Sequence, residues 1–121
     1  MAKTVLIVED DIFNMKLFHD LIEAYGYNVL QARTGEEALA FIDDRHPDLI
    51  IMDIQLGRLS GLELTRRIKG DDATKSIPIV VVTAFATAAD AERISQAGCD
   101  AYLTKPVSVD ALISAVQKFV E

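Results

Sequence analysis

Acidic, hydroxyl and basic side chains follow the apolar segments of this 121-residue chain, and their types suit phosphoryl chemistry. Glu9 and Asp10 follow the first apolar run, and Asp53 follows the third. Thr83 and Lys105 follow the fourth and fifth runs. Carboxylates without His or Cys favour a hard cation such as Mg²⁺, while a lysine and a hydroxyl suit phosphate oxygens. The set predicts phosphoryl transfer with Asp53 as the nucleophile.

Each of these residues also has a simpler structural interpretation. The acidic run Glu9-Asp10-Asp11 could cap a helix and favour its dipole. Asp53 could belong to a turn, Thr83 could bond to backbone, and Lys105 could be solvated. Because Asp and Glu make up 19 of the 121 residues, one acid at a strand end carries little weight. The functional interpretation therefore depends on a fold that brings these side chains together.

The apolar pattern predicts alternating strands and helices. Four apolar, β-branched runs indicate buried strands, Thr4–Val8, Asn28–Gln31, Leu49–Met52 and Ile77–Val82, and a weaker fifth run is Ala101–Leu103. Five helix-like segments follow them: Asp11–Tyr25, Gly35–Asp44, Gly61–Lys69, Ala88–Gln96 and Ser108–Val120. Thr34 and Ser108 are predicted N-caps, and Gly26, Gly70 and Gly98 are predicted left-handed helix ends.

This alternation predicts an α/β fold with a doubly wound parallel sheet and helices on both faces. In such sheets, ligands bind at the carboxyl ends of the strands. The strand assignment places five polar residues at those ends: Glu9, Asp10, Asp53, Thr83 and Lys105. We therefore expect the five side chains to share one cleft.

Composition excludes several classes of function. The net charge of −7 disfavours a nucleic-acid surface and anionic membrane, which both need clustered cations. The longest uncharged stretch, Ser76–Ala89, is too short to span a bilayer. Cys99 has no internal disulfide partner, and the chain opens without a signal-peptide pattern. We expect one cytoplasmic domain over residues 1–121, with no nucleic-acid partner and no membrane insertion.

At these positions the chain resembles the receiver domain of two-component response regulators. The matching motifs are Glu9-Asp10, Asp53, Thr83-Ala84 and Lys105-Pro106, with Tyr102 at the aromatic switch position. The resemblance covers the whole chain and implies strand order 2-1-3-4-5, the flavodoxin-like receiver fold. It also implies a single receiver domain with no output domain. Residues 14–18 and 82–86 are most similar to stand-alone receivers that act in cell division and polarity.

The resemblance implies a mechanism for this site. A histidine kinase or histidine phosphotransfer protein donates a phosphoryl group to Asp53. Mg²⁺ is held by Asp10, Asp53 and the backbone carbonyl of Gln55, with Glu9 acting through water. Lys105 binds the transferred oxygens. In this reading the protein is not an enzyme with an external substrate, and it catalyses only its own phosphorylation and dephosphorylation.

The resemblance also implies a switch and an output surface. The Thr83 hydroxyl and the neighbouring Ala84 draw the loop after the fourth strand inward, so that Tyr102 can turn. A downstream protein binds the surface of helix 4, strand 5 and helix 5. The Lys105–Pro106 bond is expected to be cis. Gly57 departs from the family's usual proline, which predicts a looser loop with the chemistry retained.

The first helix carries a candidate docking surface. Its predicted apolar face consists of Leu17, Phe18, Leu21, Ala24 and Tyr25. Ile12 and Met15 fall outside that face, beside the acidic cleft, so we expect them to be exposed and to dock the kinase. Ordinary scattered exposure of apolar residues is the alternative interpretation.

The same residues bear on three other possible functions. A flavodoxin-like cofactor carrier needs a Ser/Thr/Gly-rich phosphate loop after the first strand, where Glu9-Asp10-Asp11 would repel phosphate. A haloacid-dehalogenase-type phosphatase needs an Asp-x-Asp pair there, which is absent from the sequence. A phosphorylation-independent adapter would not need the intact set of Asp10, Asp53, Thr83 and Lys105, but it remains the alternative to phosphoryl transfer.

Overall fold

The computed structural model describes residues 2–53, 61–84 and 87–120. Five strands form one parallel sheet in the order β2-β1-β3-β4-β5. They are β1 Thr4–Val8, β2 Asn28–Ala32, β3 Leu49–Asp53, β4 Ile79–Thr83 and β5 Ala101–Thr104. Five helices connect and follow them: α1 Ile12–Ala24, α2 Gly35–Arg45, α3 Gly61–Gly70, α4 Ala88–Gln96 and α5 Val109–Val120. The predicted doubly wound α/β fold and its strand order are confirmed.

Alternation along the central strands separates two apolar layers. In β1, Leu6 and Val8 face the layer of α2, α3 and α4, while Val5 and Ile7 face the layer of α1 and α5. Because both sides of β1, β3 and β4 are covered, their side chains are apolar at nearly every position. The sheet is thus buried along its length, and polar groups gather where the strands end.

Strand β4 begins two residues later than predicted. Pro78 has no N–H to donate to a sheet ladder, and the N–H of Ile77 donates to the Thr74 carbonyl in the preceding turn at 3.0 Å. Pairing with β3 therefore starts at Ile79, which lies opposite Ile50.

The predicted helix caps are partly confirmed. The Thr34 hydroxyl accepts a hydrogen bond from the Glu37 N–H, and the Ser108 hydroxyl accepts one from the Ala111 N–H, both at 3.1 Å. Gly26 and Gly98 have left-handed φ angles of 93° and 95°. The expectation for Gly70 is wrong, because it is the last residue of α3 and is not among the positive-φ residues of the described chain.

The buried face of α1 also differs from the prediction. Met15, Phe18 and Ile22 are buried against the sheet and α5, whereas Leu17 and Tyr25 are exposed. Apolar residues occupy most of the circumference of α1, so periodicity alone does not select one face. Packing against the sheet selects the face that carries Met15. Within the described ranges, none of the helices combines the length and apolar character that a bilayer crossing requires.

Candidate functional site

The carboxyl ends of two adjacent strands, β1 and β3, bring the predicted acids together. Val8, the last residue of β1, lies opposite Met52 of β3, so Glu9 follows beside Asp53. The Glu9 N–H donates to the Ala32 carbonyl at 3.0 Å and extends the pairing with β2 by one step. The sheet register therefore places these carboxylates at one edge.

Three carboxylates form a compact cluster there. One oxygen each from Glu9, Asp10 and Asp53 lies within 4.8 Å of the other two. Glu9 and Asp53 are only 1% and 4% exposed, whereas Asp10 is open to solvent. Two buried acids and one accessible acid form a pocket that a cation can enter from one side.

Lys105 brings a positive charge to this cluster. Its Nζ donates to Glu9 Oε1 at 3.2 Å and to Asp53 Oδ2 at 3.3 Å. Its backbone N–H donates to the Thr83 carbonyl at 2.7 Å, and the Lys105–Pro106 peptide bond is cis. The side chain from the end of β5 therefore reaches across β4 to the ends of β3 and β1.

The cluster carries more negative charge than Lys105 neutralises. Burial, followed by hydrogen bonding to Asp53 and the charge of Asp53, together raise the pKa of Glu9 from 4.5 to about 7. Burial by itself would lower the pKa of Lys105, but the charges of Asp53 and Glu9 outweigh it and raise that pKa above 10.5. The site thus holds one firmly charged lysine beside acids that compete for a proton.

Asp11 is separated from the other two acids of its run. Its carboxylate accepts from the Phe13 N–H at 2.8 Å and caps α1, while its own N–H donates to Glu9 Oε2 at 3.2 Å. The structural interpretation of the acidic run, a helix cap, therefore holds for Asp11. Glu9 and Asp10 face the pocket, and Asp11 starts the helix.

The predicted switch residues flank the cluster at the ends of β4 and β5. Thr83 is fully buried and pairs with Thr104, and Ala84 directly after it is exposed. Tyr102 lies in β5 with a partly exposed ring. Gln55 and Gly57 lie outside the described residues.

Of the two predicted docking residues, only Ile12 is accessible. The expectation that Met15 is exposed is wrong, since its side chain is 5% exposed and packs in the core with Phe18. Sequence reasoning missed Phe13, which is 84% exposed in the first turn of α1. Two large apolar residues immediately after an acidic cap were the available signal.

The profile of the response regulator receiver domain matches residues 5–117. The chain belongs to the response regulator receiver family. The match spans every described strand and helix of this receiver except Thr4 at the start of β1 and the last residues of α5.

Curated relatives are similar over nearly their whole length. The polar-differentiation response regulator DivK of Brucella ovis is 52% identical over 119 residues, which cover 98% of this receiver and 97% of that protein. DivK of Brucella melitensis shows the same identity and coverage. Both relatives are therefore similar to this chain in length as well as in sequence.

Solved structures agree with the fold. The receiver domain of a signal transduction histidine kinase from Syntrophus aciditrophicus has a TM-score of 0.93 at 32% identity, covering 98% of this chain and 90% of that one. The receiver domain of a Pseudomonas aeruginosa sensor histidine kinase has a TM-score of 0.91 at 30% identity, covering 99% and 98%. That structure contains a magnesium ion coordinated in the active-site cleft.

Proposed function

We propose that this receiver accepts a phosphoryl group on Asp53 from a phosphohistidine and signals through protein contacts. The observation that carries the proposal is the position of the Asp53 carboxylate. It is buried at the end of β3, lies in a cluster with Glu9 and Asp10, and accepts from Lys105 Nζ at 3.3 Å. In the transfer, the bond from phosphorus to the histidine nitrogen breaks, and one forms to an Asp53 oxygen.

The carboxylate cluster fits Mg²⁺. All three side chains offer hard oxygen ligands, and the charge of Asp53 adds to burial in raising the pKa of Glu9. We propose that Asp10 and Asp53 ligate the ion directly, with the carbonyl of Gln55, and that Glu9 acts through water. When bound, Mg²⁺ screens the repulsion between the acceptor carboxylate and the incoming phosphoryl oxygens.

Lys105 and Thr83 have separate roles in binding the transferred phosphoryl group. Lys105 is held within reach of Asp53 and supplies a positive charge to the transferred oxygens. Thr83, at the end of the neighbouring strand, donates its hydroxyl to the same group. The backbone bond from Lys105 to the Thr83 carbonyl ties the two residues together, so movement of one is transmitted to the other.

The proposed output is a change at the face of α4, β5 and α5. Phosphorylation draws the loop after β4 inward, and the Tyr102 ring follows. It shifts an existing equilibrium only by its different interaction with the two states. The similarity to DivK supports a role in polarity or division, exercised in the cytoplasm through a downstream protein partner.

The donor protein is proposed to dock at the first turn of α1. Ile12 and Phe13 are exposed there, directly after the acidic run. Leu17 is exposed one turn further, beside a groove of about 350 Å³ that Lys105 and Val107 also line. This apolar surface reaches the phosphoacceptor cleft, as a docked histidine requires.

The decisive experiment is labelling by acetyl phosphate with Mg²⁺, resolved on a phosphate-affinity gel. Wild type should acquire one phosphoryl group, and Asp53→Ala should acquire none. Asp43→Ala serves as the control, since Asp43 is an exposed acid of α2 away from the cluster. Wild type that stays unlabelled by acetyl phosphate and by every histidine kinase tested would favour the adapter.

Docking is tested separately with a histidine kinase selected because it phosphorylates the wild type. Ile12→Ser with Phe13→Ser should slow phosphotransfer at least about tenfold and leave labelling by acetyl phosphate unchanged. Tyr25→Ser is the matched control, because Tyr25 is also an exposed large side chain and caps the opposite end of α1. Equal losses with both donors would refute docking at this turn.

A further inference from the structure

Asp11 connects the carboxylate cluster to the first turn of α1 through every polar group it has. Its N–H donates to Glu9 Oε2 at 3.2 Å, and its carbonyl accepts from the Met15 N–H at 2.9 Å. Its Oδ1 accepts from the Phe13 N–H at 2.8 Å, and its Oδ2 accepts from the Asn14 side-chain amide at 3.4 Å. One residue therefore bonds to the cluster on one side and to the helix on the other.

These bonds keep the Asp11 carboxylate away from the pocket. The metal-binding group found among the described residues consists of Glu9, Asp10 and Asp53 and does not include Asp11. The extended backbone of Asp11, with φ −81° and ψ 121°, turns its side chain back over the helix N-terminus. Asp11 is thus placed to position other groups, with no ligand role of its own.

We propose that Asp11 is a positioning residue that couples cation binding in the cluster to the order of the donor-docking turn. A cation that gathers the carboxylates of Glu9 and Asp10 immobilises the acceptor of the Asp11 N–H. The cap formed by the Asp11 carboxylate is then held more firmly, and with it the backbone of Ile12 and Phe13. This inference rests on the proposed function, since it gives that turn its role.

The coupling is reciprocal by thermodynamic necessity. If the cation orders the first turn of α1, then an ordered turn strengthens cation binding by the same factor. A receiver loaded with Mg²⁺ would present a rigid docking surface to its donor, and the apoprotein a frayed one. Phosphotransfer would then be favoured only when the metal needed for the chemistry is already bound.

Amide–water exchange measured by NMR on the full chain tests this without any phosphodonor. Saturating Mg²⁺ should slow exchange of the Phe13 and Asn14 amides about fivefold in wild type, the factor that corresponds to a typical N-cap. The Glu37 amide, which is capped by Thr34 in α2, should not respond. Unchanged exchange at Phe13 and Asn14 in wild type would overturn the coupling.

Two neutral variants separate the cap from the charge. Asp11→Asn keeps a capping oxygen and should keep the exchange response, whereas Asp11→Ala should lose it. Because both lose the same charge, any difference in Mg²⁺ affinity reports the cap, and Ala should bind up to about fivefold more weakly than Asn. Equal affinity and equal exchange response in the two variants would overturn the proposal.

The two proposals can fail independently. Wild type that is labelled by acetyl phosphate while its first-turn amides ignore Mg²⁺ would keep the proposed function and remove the coupling. Amides that respond to Mg²⁺ in a protein never labelled on Asp53 would do the reverse. Thr34→Ala, which removes the cap of α2, should leave the response of α1 intact and so excludes a general effect of cap loss.

Discussion

Two lysines pair with acids at opposite ends of the sheet, and their surroundings differ. At the amino ends of the strands, Lys69 Nζ donates to Asp100 Oδ2 and to the Ile77 carbonyl at 2.8 Å, and to the Lys75 carbonyl at 3.2 Å. At the carboxyl ends, Lys105 faces Glu9 and Asp53, with Asp10 close by. Lys69 contacts one acid and two neutral carbonyl acceptors, whereas Lys105 contacts two acids of a three-carboxylate cluster.

The difference separates a balanced ion pair from a lysine that lies among crowded acids. Asp100 also accepts from the Ile79 N–H at 2.8 Å, so the Lys69 cluster balances its charge and its hydrogen bonds. In the Lys105 cluster three acids share one lysine, and burial, followed by hydrogen bonding to Asp53 and the charge of Asp53, raises the pKa of Glu9 to about 7. Unbalanced charge costs stability, and it persists where a cation or a phosphoryl group completes the site.

The largest expected effect is a pH dependence confined to the Lys105 cluster. Without metal, folded Glu9 holds its proton more tightly than the unfolded chain, so stability falls as pH rises from 4.5 to about 7. The shift corresponds to about 3 kcal/mol, and the contribution is fully present only below pH 4.5. Chemical denaturation in a chelator across this range measures it. The slope should shrink in Glu9→Gln, and parallel curves for the two proteins would contradict the assignment.

Breaking the balanced pair should destabilise the fold at any metal concentration. Lys69→Met leaves the partly buried Asp100 without its cation, and we expect a loss of about 2 kcal/mol in the free energy of unfolding. Lys16→Met is the matched control, because Lys16 pairs with Asp20 at 3.0 Å on an exposed helix face. The control should barely change the urea midpoint. A loss in Lys69→Met that Mg²⁺ abolishes would contradict a purely structural role.

The same chemical change should have opposite signs at the two ends. Asp53→Asn removes one of three crowded charges and should raise the metal-free stability by about 1.5 kcal/mol. Asp100→Asn removes the one acid that balances Lys69 and should lower it by a similar amount, about 1.5 kcal/mol. Thermal melting in a chelator compares the two variants directly. Shifts of the same sign would show that charge balance does not distinguish the clusters.

The smallest expected effect is stabilisation by the metal itself. At a Mg²⁺ concentration about five times Kd, wild type should gain about 1 kcal/mol. Asp10→Asn should reduce this gain and raise the metal-free Tm, since Asp10 belongs to the cluster. Asp72→Asn, an exposed acid beside the distant Lys75, should respond like wild type. An equal response in Asp10→Asn would remove Asp10 from the ligand set.

Local pattern was sufficient for the fold and for most of the site. Buried β-branched runs identified β1, β3 and β4, and weaker apolar runs identified β2 and β5. The polar residue that ends or follows each central strand identified Glu9, Asp53 and Thr83. The orientation of α1 could not be obtained in this way, because apolar residues on several sides of the helix fit two faces equally well. Met15 was therefore misplaced on the surface, and Phe13 was overlooked.

Helix ends also differ in how far the sequence predicts them. Thr34 was predictable because a capping hydroxyl acts on an N–H three residues away. Gly70 was not, because a glycine near a helix end permits a left-handed cap without requiring one. His46 takes the left-handed position of α2 with φ 47°, although a non-glycine residue there is uncommon.

The sequence by itself determined which polar side chain stands at the end of each strand. Acids follow β1 and end β3, a hydroxyl ends β4, and a lysine follows β5. These follow from side-chain type and short-range periodicity, which act over a few residues. Only the tertiary structure decided that Lys105 reaches both Glu9 and Asp53, and that Asp11 turns to the helix while its neighbours face the pocket. Those outcomes depend on strand register and on distances between residues up to 96 positions apart, which no local pattern encodes.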